Sequence, residues 1–239
     1  MKRTIVKMIA SGALGLVVGL GAAPPARAAD AKAPYPSMAP LEQYLVADRD
    51  AEIALARSAA PPSISQDATI MVLGRHGYET AVNGKNGFVC LVERAWMSGF
   101  QSPEFWNPKN RSPVCYNPAS TRSVVPLVTM RTEMILAGIP KEQIIEKLKA
   151  ARAKKEFPPP EPGAMAYMMS KQAYLTDAGD HNLCHVMFMT PTMDPASWGA
   201  GASESPVLLL RQDAISAITT FLIPVGKWSD GTPADDHAH

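Results

Sequence analysis

From Leu41 to Ser58, apolar or small residues recur at helical spacing, at Leu41, Tyr44, Leu45, Ala51, Ala54, Leu55 and Ser58, with one break at Asp48. The spacing predicts an amphipathic packing helix, stopped by Pro61-Pro62. Three short β-like runs follow, Ile70 to Leu73, Tyr78 to Val82 and Phe88 to Val92, separated by the segments 74–77 and 83–87. The second separator opens with Asn83-Gly84, a pair that favours tight reversals because both residues tolerate positive φ, so an antiparallel meander is predicted. In the third run Phe88, Cys90 and Val92 share one face while Val89, Leu91 and Glu93 share the other, which predicts a central strand apolar on both sides.

Between Glu93 and Asn117 the periodicity disappears, yet Trp96, Phe100, Phe105, Trp106 and Tyr116 fall in this stretch. One reading is that the aromatics bury a loop unable to bury itself by regular structure. The other is a platform for a sugar or apolar ligand, or for a protein partner, with Trp96 and Trp106 as surfaces and Glu93, Glu104, Arg94 and Arg111 as polar anchors.

Residues 123–155 read as a helical hairpin: Ser123 as a cap, Pro126 in the first turn, Gly138 at the end, and Pro140 opening the second helix. The cations of its last turn and tail, Lys147 to Lys155, suit the negative end of a helix dipole. The proline-rich segment 157–163 reads as a stiff connector within one domain. Further on, Leu183 to Thr190 reads as a strand that points His185, Met187 and Met189 one way and Cys184, Val186 and Phe188 the other. An imidazole with two thioethers suits cuprous copper, and His181 would add a second nitrogen. Methionine at alternate positions is equally what a buried central strand looks like, and no diagnostic metal spacing accompanies it. Val207 to Leu210 and Ala217 to Val225 are two further strand candidates. Together these elements predict a single α+β domain over 29–239, with an antiparallel sheet of the meander plus the C-terminal strands, flanked by an N-terminal helix and the hairpin.

The amino terminus changes the setting. Lys2, Arg3 and Lys7 precede an apolar run from Met8 to Ala23, and Ala26-Arg27-Ala28 supplies small residues for cleavage, so 1–28 reads as an export signal. The expected location is the periplasm or the exterior, with no stable membrane insertion after cleavage. Removing the four basic residues of that segment leaves 19 Lys and Arg against 22 Asp and Glu, a net charge of −3 that offers no footprint for nucleic acid or anionic membrane. An oxidising compartment makes a Cys90–Cys115 disulfide the expectation, with Cys184 left as a buried thiol.

Catalytic templates are poorly matched. Gly201-Ala-Ser203-Glu-Ser205 lacks the second glycine of a nucleophile elbow, and a dispersed hydrolase site would have to draw on His181 or His185 with Asp177 or Asp180. The expected function is therefore non-catalytic binding of a small ligand or partner through the aromatic loop. Copper binding through His181, His185, Met187 and Met189 stands second, and a secreted hydrolase third.

Overall fold

The computed structural model describes residues 34–177 and 183–234; the expected signal 1–28 and His181 lie outside the described residues. The break at Asp48 is a true helix start. Leu41–Gln43 forms only a 3₁₀ turn, and the Asp48 carboxylate then accepts from the Asp50 and Ala51 N–H groups to open α1, Arg49–Arg57. A single turn, α2 (Pro62–Ser65), leads into the sheet.

Eight strands form that sheet: β1 (Thr69–Leu73), β2 (Tyr78–Val82), β3 (Val89–Glu93), β4 (Ser112–Tyr116), β5 (Met165–Met168), β6 (His185–Pro191), β7 (Leu208–Asp213) and β8 (Ile218–Pro224). Their order is β2-β1-β3-β4-β5-β6-β8-β7. The sheet is mixed rather than purely antiparallel as expected, because β1 and β3 pair in parallel. The cause lies in the Asn83-Gly84 segment, which is a crossover and not a hairpin turn. It passes against the start of β1, where Gly84 N donates to Thr69 Oγ1 (3.0 Å) and Lys85 N to Asp67 O (2.8 Å). A Cβ on Gly84 would stand 2.2 Å from the Thr69 nitrogen, so glycine serves close backbone approach here. The polar, largely uncovered β2 is thereby left at the edge, and the apolar β1 and β3 lie side by side inside.

The expected irregular stretch contains β4, whose five residues are all buried and give no alternation to read. Pro113 is tolerated because β5 pairs only with Cys115 and Tyr116, leaving the first part of β4 with a neighbour on one side. Cys90 and Cys115 face each other directly across β3 and β4 and are joined by a disulfide. Cys184 is a buried free thiol, donating to Lys227 O (3.0 Å), and burial pushes it up to about 11.

Helices cover both faces. On one, Ala56 and Ala59 pack on Ile70, Cys90, Val92 and Cys115. On the other, the hairpin of α4 (Val125–Leu136) and α5 (Lys141–Ala153) sets Val128, Ile135, Ile144 and Leu148 against Leu91, Val114, Ala166 and Met187. Gly138, at φ +71°, ends α4 in the left-handed conformation that glycine adopts most easily. Ser123 does not cap α4; it ends a separate short helix, α3 (Pro118–Ser123), which Asn117 caps by accepting from Ser120 N. No helix among the described residues is long and apolar enough to cross a membrane.

Candidate ligand-binding cavity

Strand alternation places Glu93, Tyr116, Met168, Met187, Met189 and Thr220 on the face covered by α4 and α5. Between that face and the helices lies a cavity of about 410 Å³. Leu127, Val128, Met187, Met189 and Ile218 give it an apolar body. Glu93, Ser98, Arg131, Arg211 and Asp213 give it polar groups. The volume and the mixture of apolar wall with few polar groups are those of a small-molecule site.

The polar groups act on one another. Glu93 is half-buried and accepts a hydrogen bond from the Tyr116 hydroxyl. Burial raises its carboxyl above the ordinary value, against the opposing pull of Tyr116, Arg211 and Arg131. Arg131, only 4% exposed, donates through Nη2 to Ser98 O (2.6 Å) and lies over the Phe100 ring at 4.0 Å. Burial lowers it to about 9, with Arg211 adding to that effect, so it stays charged at neutral pH. Arg211 is fixed through Nη1 to Met97 O (3.0 Å). Burial alone would raise Asp213, but the Ser216 hydroxyl, the Ile215 N–H and Arg211 outweigh it and hold it below its usual value.

Of the residues proposed for an aromatic-loop site, Glu93, Arg94 and Glu104 reach the cavity wall; Trp96, Trp106 and Arg111 do not. Arg94 is there as structure, paired with Glu52 at 2.8 Å with both side chains out of solvent. Trp96 is fully buried, donating to Thr132 Oγ1 (3.1 Å) and packing on Tyr44. Trp106 meets Phe105 edge-on, and Arg111 ties the loop together through Pro108 O, Asn110 O and Gln43 O.

Of the proposed soft-metal set, Met187 and Met189 line the cavity, while His185 lies outside its wall on the same sheet face. His185 Nδ1 contacts Leu183 O, a group that can only accept, so Nδ1 carries the proton. Its Nε2 is buried without a hydrogen-bond partner among the described residues, and Met168 stands directly opposite in register. Burial lowers the His185 pKa. Among the described residues no group of three or more His, Cys, Asp or Glu is placed to share a metal ion.

Sequence reasoning passed over Arg131, Arg211 and Asp213. One signal for Arg131 was present: it interrupts the otherwise uncharged buried stripe Leu127, Val128, Thr132, Ile135 of α4, where an unpaired cation is costly. The chain matches no family model, no curated protein and no solved structure.

Proposed function

We propose that the protein is an exported binding protein that holds one small, largely apolar molecule between its sheet and the α4–α5 hairpin. The observation that carries this reading is the cavity itself, apolar along its body and polar through residues drawn from β3, β7 and α4. The aromatic loop contributes as a wall and as packing, through Arg94 to Ser98, rather than as an open platform. The test uses N-phenyl-1-naphthylamine, an uncharged dye that brightens in apolar surroundings. The purified protein takes up one equivalent saturably, and Val128→Trp, which fills the cavity, abolishes uptake while the thermal melt stays cooperative. Undiminished uptake by that folded variant contradicts the reading.

One observation favours cuprous-ion binding as a second reading: the bare Nε2 of His185 faces the same side of the sheet as Met168, Met187 and Met189. Titration with copper(I) in the presence of a competing chelator checks it. Loss of binding in His185→Ala supports it, and unchanged affinity removes it.

A further inference from the structure

We infer that the cavity takes an amphiphile whose headgroup carries a single negative charge, of the carboxylate class, an inference that rests on the binding reading above. The Nε–H groups of Arg131 and Arg211 and the hydroxyls of Ser98 and Thr176 are all buried and belong to residues lining this cavity. Among the described residues none of the four has a hydrogen-bond partner. A buried donor left unpaired costs about as much as a lost hydrogen bond, so four such groups on residues of one wall leave hydrogen-bonding capacity there unmet. The guanidinium orientations are already fixed, because Arg131 Nη2 and Arg211 Nη1 hold backbone carbonyls of the 95–98 turn. Such preset forks recognise planar carboxylates.

The charge balance selects a monoanion. Arg131 and Arg211 bring two positive charges to the wall, and among the described residues neither is ion-paired with a carboxylate; the wall carboxylates Asp213 and Glu104 are engaged by the Ser216 hydroxyl and Ile215 N–H and by the Asn107 amide. Arg94, the other cation on the wall, is neutralised by Glu52. A carboxylate suits the two unpaired guanidiniums, whereas a dianionic phosphate monoester is repelled more strongly by Asp213, Glu104 and any ionised Glu93. The thioethers of Met187 and Met189, with Ile218 and Val128, line the part that receives the apolar chain.

Calorimetric titration of the purified protein at pH 7 with decanoate, decanol and decyl phosphate tests this. Decanoate is expected to bind about ten-fold or more tighter than decanol, as befits hydrogen bonds to a charged group, and decyl phosphate more weakly than decanoate. Arg211→Gln is expected to bring decanoate down to the level of decanol, and a cooperative thermal melt of this variant reports an intact fold. Arg211→Lys, which keeps the charge without the planar fork, falls between. Equal affinity for decanoate and decanol, unchanged decanoate affinity in Arg211→Gln, or tightest binding of decyl phosphate overturns the inference while the cavity reading stands. If neither decanoate nor decanol binds, the cavity reading itself fails.

Discussion

Glu93 is a carboxyl group kept in a place that disfavours its charge, even with two guanidiniums within electrostatic reach. Because its folded pKa lies above the unfolded value, its contribution to stability is complete below the ordinary value of 4.5 and is lost as pH rises through the folded value. Glu93→Gln keeps an oxygen for the Tyr116 hydroxyl and cannot ionise. This variant is expected to be more stable than the natural protein in urea at pH 7, with the gap closing at pH 4; equal stability at both pH values contradicts it. The same residue sets the pH response of binding. Decanesulfonate stays a monoanion throughout, so its affinity should fall as Glu93 ionises and become flat with pH in Glu93→Gln. Beside Glu93, Tyr116 is pushed well above its usual value by burial and by Glu93, Arg131 stays cationic at neutral pH, and Asp213 is held below its usual value. None of this was legible from residue order. Arg131, Arg211 and Glu93 are 38 or more positions apart along the chain, and only the sheet and hairpin bring them to one space.

Among the elements, two fastenings hold the half of the sheet beneath α1. Glu52 of α1 accepts from Arg94 Nη2 (2.8 Å) and from Leu73 N (3.2 Å), while Arg94 Nε donates to Tyr44 O (2.7 Å). Glu52→Ala leaves a buried guanidinium without its counter-charge and is expected to cost about 3–5 kcal/mol in urea denaturation. A smaller loss in Glu52→Ala/Arg94→Met than in the single variant would show that the penalty comes from the stranded charge. The second fastening is the Cys90–Cys115 disulfide, which spans 25 residues and constrains the unfolded chain by about 3.5 kcal/mol. Under denaturing, non-reducing conditions one thiol per chain, Cys184, is expected; three would contradict the pairing. Most strands and both helices of the hairpin were legible because their periodicity is local. The parallel β1–β3 pair was not, since Asn83-Gly84 carries the same composition in a hairpin turn and in a crossover. Only the Thr69 backbone against Gly84 distinguishes them, and Gly84→Ala is expected to cost about 1–3 kcal/mol.

For the molecule as a whole, the sheet reads as two four-stranded parts joined by only two residue pairs, Cys115 with Tyr167 and Tyr116 with Ala166. The cavity draws its walls from both parts, with Glu93 and Tyr116 on one side of the joint and Met168, Met187, Met189 and Arg211 on the other. The methionine cluster that stood out in the sequence is therefore not simple filling. Three of its members, Met168, Met187 and Met189, wall a space. Their signature could not be separated from a packed core in the sequence because a cavity wall and a core surface demand the same apolar side chains. The most direct test uses methyl-labelled methionine and nuclear magnetic resonance during titration with N-phenyl-1-naphthylamine. The ε-methyl signals of Met168, Met187 and Met189 should shift together and saturate at one equivalent, while those of Met38 and Met193, which lie outside the wall, stay in place. Saturable dye binding that leaves the three cavity methyls unmoved would contradict the account.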